Sequence, residues 1–85
     1  MAFLPDMILY YKPTCPYCLK VMAYMEEQDI AMEMRNTLEP GVVDDLIALT
    51  GKTQVPCLVI GNQPMLESDD IIQYLHGLVA ADEIG

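Results

Sequence analysis

The amino-acid sequence predicts an α/β domain in which a four-stranded mixed sheet is covered by helices. Short apolar runs bounded by turn-forming residues alternate with amphipathic stretches, in the order βαβαββα. The opening βαβ unit favours parallel pairing, whereas Gly61-Asn62 is typical of a hairpin turn between antiparallel strands. No repeat, low-complexity tract or linker interrupts the 85 residues, so we expect a single domain over residues 1–85.

The first three elements follow from local patterns. Residues 7–11 form a short apolar run rich in aromatic and β-branched side chains, which predicts a buried strand. Residues 16 to about 28 predict an amphipathic helix. Its apolar positions recur at three- and four-residue spacing, at Leu19, Met22, Ala23 and Met25. We expect these methionines to belong to the core and not to a partner surface. Residues 30–35 alternate and predict a second strand.

The second half continues with a helix, a hairpin and a closing helix. Residues 41–50 predict a helix that ends at Gly51, with its apolar side chains at Val43, Leu46, Ile47 and Leu49. Residues 55–60 and 63–66 predict the two strands of the hairpin. Ser68 is a favoured N-cap, and Asp69 and Asp70 suit the first turn of the last helix. The apolar stripe of that helix comprises Ile71, Ile72, Leu75, Leu78 and Val79.

The charge balance excludes several classes of partner. The chain has 13 acidic and 4 basic residues, a net charge of −9, and 53% hydrophobic residues. It is therefore too apolar for a disordered acidic tail and too poor in cations for a nucleic-acid or anionic-membrane surface. No apolar run approaches the roughly 18 residues of a membrane span, and the first residues lack the pattern of a signal peptide. We expect a cytoplasmic, monomeric protein.

The most informative local feature is the pair of cysteines at Cys15 and Cys18. Their i, i+3 spacing at a strand-to-helix junction places both thiols on one face, at a separation that allows a disulfide. Pro16 suits the first helical turn and leaves Cys15 as the cap residue, where free backbone N–H groups stabilise a thiolate. Lys12 and Lys20 are expected to add to that stabilisation. We therefore predict that Cys15 is a nucleophile and that the more shielded Cys18 is the resolving thiol.

Two other interpretations of the cysteines are weaker. Both thiols could be inert core residues, but single buried cysteines do not explain this spacing. A zinc site could instead use four residues, namely Cys15, Cys18, Cys57 and His76. Structural zinc sites usually combine two closely spaced pairs of ligands, and the last two of these residues are isolated in the sequence. We therefore expect no metal site, a surface or half-buried His76, and a structural Cys57, with oxidation of Cys57 as the alternative.

Residues 12–20, 54–56 and 67–70 together resemble the glutaredoxins of the thioredoxin-like fold, over nearly the whole chain. Cys-Pro-Tyr-Cys matches the dithiol glutaredoxin motif, and the later Val-Pro matches the cis-proline loop that faces the reactive cysteine. The resemblance implies that Pro56 is cis and that the backbone of Val55 pairs with the cysteinyl part of glutathione.

The same resemblance implies the other contacts to glutathione. Ser68 and Asp69 match the position that holds the γ-glutamyl end, and helix N-terminal N–H groups with an acidic side chain suit that zwitterion. Lys12 would meet the glycyl carboxylate, and Tyr17 would flank the sulfurs as an apolar wall. Residues 54–56 and 65–68 are closer to glutathione-transferase-like glutaredoxins and transferase N-terminal domains, which makes Glu67 a further γ-glutamyl ligand.

The expected function is that of a glutathione-dependent thiol–disulfide oxidoreductase acting on protein disulfides and glutathionylated proteins. Glutathione would be a co-substrate, with no tightly bound cofactor. One alternative is an electron donor reduced by thioredoxin reductase, against which Lys12, Glu67 and Asp69 argue. Another is an iron–sulfur cluster carrier, against which Pro16 and Tyr17 argue, because cluster-binding relatives carry smaller residues after the first cysteine.

Overall fold

The computed structural model describes residues 2–80. They form four strands and three helices in the predicted order: β1 (Ala2–Tyr11), α1 (Pro16–Glu27), β2 (Ile30–Asn36), α2 (Val42–Thr50), β3 (Cys57–Ile60), β4 (Gln63–Met65) and α3 (Ser68–Ala80).

The sheet is mixed, with the strand order β2-β1-β3-β4. β1 pairs with β2 in parallel, whereas β1 with β3 and β3 with β4 are antiparallel. Parallel pairing of β1 and β2 requires a crossover connection, and α1 provides it. The predicted hairpin turn is present, with Gly61 at φ 61°, a left-handed conformation that favours glycine. The predicted α/β class and mixed sheet are confirmed.

Alternation along the strands divides the core between the two faces of the sheet. Leu9 and Leu58 pack with α1 and α3 in a cluster that also contains Met7, Val21, Met25, Ile30, Met32, Ile71 and Leu75. On the other face, a smaller cluster packs α2 against the sheet through Tyr10, Leu46, Cys57 and Val59. The predicted methionine core is confirmed, because Met25 is buried and Met22 packs against the first cluster.

Two strands begin at residues other than those predicted. β1 begins at Ala2 instead of residue 7, and its pairing with β2 shifts register between Phe3 and Ile8. That irregular stretch contains Pro5, which lacks an N–H group to donate to a ladder. β3 begins at Cys57 and not at residue 55, so Val55 and Pro56, which are joined by a cis peptide bond, precede the strand.

Two helices bury only part of the apolar stripes predicted for them. In α1 the buried side chains are Cys18, Val21 and Met25, whereas Leu19 is 49% exposed and Ala23 is also exposed. In α2 Leu46 alone is buried, and Ile47 and Leu49 are exposed. Periodicity identified both helices, but the apolar residues are too evenly distributed to show which stripe faces the sheet. The predicted stripe of α3 is confirmed, since all five of its residues are buried or pack against the first cluster.

The last helix begins one residue earlier than its predicted cap implies. Ser68 is the first helical residue, and the carbonyl of Glu67 accepts the hydrogen bond from the Ile71 N–H at 2.9 Å. Glu67 is therefore the N-cap in place of Ser68. None of the helices within residues 2–80 has the length and apolar character needed to cross a bilayer.

Candidate active site

Cys15 is the N-cap of α1. Its backbone is extended (φ −87°, ψ 119°), and Pro16 follows as the first helical residue. The Cys15 N–H donates to the carbonyl of Lys12 at 3.0 Å, which closes the turn between β1 and the helix. Pro16 has no N–H to lose and its fixed φ suits the first helical turn, so the sequence Cys-Pro begins the helix with the first thiol at its N-terminus.

The surroundings of Cys15 favour its thiolate. Partial burial acts to raise the pKa of Cys15, but hydrogen bonds from the backbone N–H and the thiol of Cys18, the N–H of Tyr17 and the charge of Lys12 outweigh it. The net effect is a lowered pKa. A half-buried sulfur with a lowered pKa has the properties of a reactive thiol.

Cys18 lies one turn further along α1 and is fully buried. Burial raises its pKa to about 11, and the negative charge of a Cys15 thiolate acts in the same direction. The backbone N–H of Lys12 donates to the Cys18 sulfur at 3.5 Å and offsets part of this shift. The two thiols therefore differ in kind: Cys15 is the one that ionises first, and Cys18 stays protonated beside it.

A loop from the other half of the chain completes the surroundings of Cys15. The Val55–Pro56 peptide bond is cis, as the sequence resemblance implies. The sulfur of Cys15 lies 4.0 Å from the carbonyl oxygen of Val55. Because Pro56 is buried and Cys57 begins β3, this loop is anchored to the central sheet directly opposite the helix N-terminus.

A cleft of 420 Å³ opens beside these two segments. Its walls contain six of the residues predicted to bind glutathione, namely Tyr17, Val55, Pro56, Glu67, Ser68 and Asp69. Lys12 was predicted with them but does not line the cleft, and its charge instead acts on Cys15. The cleft thus runs between the first turn of α1, the cis-proline loop and the N-terminus of α3.

Two residues of the cleft were not predicted as site residues, Gln54 and Leu66. The side-chain amide of Gln54 donates to the carbonyl of Leu66 at 3.3 Å and links the cis-proline loop to the segment before α3. Gln54 belongs to the Gln-Val-Pro motif, which is the signal that could have identified it. No local pattern in the sequence marks Leu66.

The position of Lys20 corrects one expectation. It was predicted to stabilise the Cys15 thiolate, but its ammonium group is bonded to the carboxylate of Asp69 across the gap between α1 and α3. Lys20 is not among the groups that lower the pKa of Cys15, whereas Lys12 is. The charge that acts on the sulfur therefore comes from the turn before the helix.

The remaining candidates lie outside the cleft. Cys57 is fully buried between β1 and α2, and burial raises the pKa of its thiol. His76 is exposed on α3, where its Nδ1 is 3.3 Å from the hydroxyl of Tyr24. Within residues 2–80 no three His, Cys, Asp or Glu side chains are grouped as metal ligands. The zinc set considered from the sequence is therefore not assembled.

A family model and individual relatives match this chain. The model for the glutathione S-transferase N-terminal domain matches residues 9–82. The hybrid peroxiredoxin hyPrx5 of Haemophilus influenzae is 27% identical over 66 residues, which cover 78% of this chain and 27% of that protein. The chain thus spans about a quarter of the length of this relative.

Solved structures share the fold. The trimeric glutathione transferase TDR1 of Leishmania superposes with a TM-score of 0.71 at 27% identity, over 85% of this chain and 16% of that one. The buckwheat glutaredoxin in complex with glutathione superposes with a TM-score of 0.66 at 17% identity, over 85% of this chain and 69% of that one. The chain belongs to the family of glutathione S-transferase N-terminal domains and has the thioredoxin-like fold of the glutaredoxins.

Proposed function

We propose that this protein is a glutathione-dependent thiol–disulfide oxidoreductase in which Cys15 is the nucleophile. The observation that carries the proposal is the position of the Cys15 sulfur. It sits at a helix N-terminus that lowers its pKa, 4.0 Å from the Val55 carbonyl and beside an open cleft. A redox thiol function is also supported by the similarity to a hybrid peroxiredoxin and to glutaredoxins.

The chemistry is thiol–disulfide exchange. The Cys15 thiolate attacks the glutathionyl sulfur of a glutathionylated protein, the protein–glutathione S–S bond breaks, and the protein thiolate leaves and takes up a proton. A second glutathione thiolate then attacks the glutathionyl sulfur bound to Cys15. This step releases oxidised glutathione, made of the glutathionyl group from the mixed disulfide and one added glutathione, and it restores the Cys15 thiolate. One free glutathione is therefore consumed for each protein thiol regenerated.

Cys18 allows a second reaction, the reduction of protein disulfides by both cysteines. On a protein disulfide, Cys15 forms a mixed disulfide with one substrate sulfur. The Cys18 thiol then gives its proton to solvent, and its thiolate attacks the Cys15 sulfur, which breaks the bond from Cys15 to the substrate. The substrate leaves as a thiol and a Cys15–Cys18 disulfide remains, which glutathione reduces. The burial and the raised pKa of Cys18 support this order, because Cys18 is shielded from an incoming substrate whereas Cys15 is partly exposed.

Three features support glutathione as the co-substrate. The free N–H groups at the start of α3, with Ser68, Glu67 and Asp69 at the cleft, suit the γ-glutamyl end. The backbone of Val55 faces Cys15, where a cysteinyl residue would pair with it. Lys12 lies beside the sulfurs, where the glycyl carboxylate would be attracted. The family is named for glutathione, and the buckwheat relative was solved in complex with it.

The test is turnover of a glutathione mixed disulfide, coupled to glutathione reductase. We expect Cys15→Ser to abolish turnover and Cys18→Ser to retain it while losing most reduction of protein disulfides. If Cys18→Ser loses all turnover and thioredoxin reductase sustains the unmodified protein, the protein is instead a thioredoxin-reductase-coupled donor. Visible absorption of protein purified without oxygen would favour an iron–sulfur carrier. We propose that the protein acts as a cytoplasmic monomer, which fractionation and sedimentation would test.

A further inference from the structure

The two edges of the sheet differ in how open they are to a further strand. Within residues 2–80 the strand order is β2-β1-β3-β4, so β2 and β4 are the edge strands. β4 has three residues and contains Pro64, which cannot donate a backbone hydrogen bond. β2 has seven residues, Ile30–Asn36, with no proline or glycine. A long edge strand of this kind offers backbone N–H and C=O groups to another extended chain.

A groove of 370 Å³ lies between β2 and the C-terminal half of α1. Four of the seven methionines of the chain line this methionine groove, namely Met22, Met25, Met32 and Met34. Met25 and Met32 are buried and belong to the first core cluster, whereas Met34 is 36% exposed. Methionine side chains are flexible and polarisable, so the groove can adapt to apolar side chains of different shapes.

Alternation along β2 gives its two faces different characters. Met32 and Met34 are on the α1 side and line the methionine groove. Glu33 and Arg35 are on the opposite side, where Arg35 donates to the hydroxyl of Tyr10 at 3.2 Å. A strand added to β2 would alternate in the same way, so every second side chain would enter the groove and the others would lie on the side of Glu33.

The charges around the groove favour a cationic occupant. Glu26 and Asp29 line it, and no lysine or arginine is among the described residues that do. On the other face of β2 the side chain of Glu33 is 50% exposed, while Arg35 is bonded to Glu33 at 2.6 Å and lies 3.9 Å from Asp45. A second copy of the chain would bring another net charge of −9 to this edge. A segment with basic side chains is therefore favoured over a second copy.

We propose that the edge of β2 and the methionine groove bind an extended basic segment of a partner protein, in which apolar side chains alternate with lysine or arginine. The backbone of the segment pairs with β2, its apolar side chains enter the groove, and its basic side chains face the acidic surroundings. Cys15 is at the opposite end of α1 from Glu26, so a bound segment leaves the cleft open. This inference goes beyond the proposed function and does not depend on it.

A synthetic peptide with the sequence Lys-Val-Lys-Leu-Lys-Val-Lys is the probe, labelled with fluorescein and followed by fluorescence anisotropy at physiological salt. The control peptide Lys-Lys-Val-Leu-Val-Lys-Lys has the same composition and charge but does not alternate. We expect it to bind roughly tenfold more weakly, because its apolar side chains cannot all enter the groove from one face of a strand. The peptide Glu-Val-Glu-Leu-Glu-Val-Glu should not bind. Equal affinities of the two basic peptides would overturn the inference, since attraction to the net charge alone would then explain the binding.

Backbone pairing is tested on the unmodified protein with two N-methylated forms of the alternating peptide. Successive N–H groups of a strand point to opposite edges, so methylation of the odd-numbered and of the even-numbered residues blocks different edges. One form should lose affinity roughly tenfold or more, because its hydrogen bonds to β2 are lost, and the other should bind nearly as well as the parent peptide. Equal affinities of the two forms would overturn the addition of a strand.

Two variants of the protein locate the binding surface. Met34→Lys places a positive charge at the exposed wall of the groove and should weaken binding of the alternating peptide roughly tenfold. The matched control Leu49→Lys makes the same change of charge on α2, at a side chain that is 42% exposed, and should change the affinity by about twofold or less.

Three results would contradict the inference. They are no binding of the alternating peptide, equal weakening by the two variants, and a dimer in sedimentation that Met34→Lys abolishes, because a second copy would then occupy the edge of β2.

Discussion

The sulfur of Cys15 lies 4.0 Å from the carbonyl oxygen of Val55, which is 40 residues further along the chain. This approach joins the N-terminus of α1 to the cis-proline loop, and the cleft opens beside the junction. Pro56 and Cys57 are buried and Cys57 begins β3, so the loop is anchored to the sheet, and the Gln54 side chain ties it to Leu66. A substrate bound along the loop would therefore present its backbone within reach of the reactive sulfur.

The first prediction concerns the ionisation of Cys15. The initial rate at which iodoacetamide alkylates Cys15 is measured by mass spectrometry as a function of pH. It should reach half its maximum at a pH below about 8.5, the pKa of an ordinary cysteine thiol. Lys12→Met removes a positive charge that lowers the pKa of Cys15, so the midpoint should move upward. It should stay below that of denatured protein, because the helix N–H groups remain.

The matched controls for this experiment are Lys20→Met and Lys52→Met. Neither lysine is among the groups that lower the pKa of Cys15, and neither variant should shift the midpoint. A native midpoint equal to that of urea-denatured protein would show that the helix N-terminus does not activate the thiol.

The second prediction concerns Cys57 and alkaline pH. Burial raises the pKa of this thiol in the folded state, so its contribution to stability is present below the unfolded pKa and is lost as pH rises toward the folded one. At pH 10 the unfolded chain ionises at Cys57 more fully than the folded chain does, so the native state loses stability relative to pH 7.

Urea unfolding of reduced protein at pH 7 and pH 10 measures this effect. Cys57→Ala should lose less free energy of unfolding between the two pH values than the unmodified protein, because the buried thiol is gone while all other groups are kept. Equal losses in the two proteins would mean that Cys57 ionises in the folded state, as a reactive thiol would.

The third prediction compares two neighbouring side chains of α2. Leu46 is fully buried against the sheet, whereas Ile47 is 43% exposed. Leu46→Ala should lower the free energy of unfolding by about 2–5 kcal/mol, and Ile47→Ala by about 0.5 kcal/mol or less. Urea unfolding at neutral pH gives both values, and Leu46→Val is the milder substitute if Leu46→Ala does not fold. Similar costs at the two positions would contradict the orientation of α2.

The order of elements could be predicted because each one carries its own signal. Pro16 and Gly51 mark a helix start and a helix end, and Gly61 occupies a left-handed turn that few other residues adopt. The buried stripes of α1 and α2 could not be predicted in the same way. Leu19 and Ile47 are as apolar as the residues that pack inward, and only the position of each helix on the sheet decides which of them is covered.

In the candidate site, too, some features could be predicted from the local sequence and others depend on tertiary contacts. The local motif around Cys15 predicted a thiol of lowered pKa, its position as the helix cap and the shielded second thiol, because all three depend on residues within one helical turn. The partner of Lys20 could not be predicted in this way. Lys20 is close to Cys15 in sequence, but its side chain is bonded to Asp69 on another helix. The contact of Gln54 with Leu66 is likewise set by how two loops meet.

By itself, the sequence determined the element order, the closely spaced pair of cysteines and the cap position that lowers the pKa of the first, since each depends on groups a few residues apart. The tertiary structure decided which apolar faces are buried, which cation acts on the sulfur and which residues line the cleft. These properties depend on contacts between α1, the cis-proline loop and α3, which are distant in the chain and meet only when both faces of the sheet are packed.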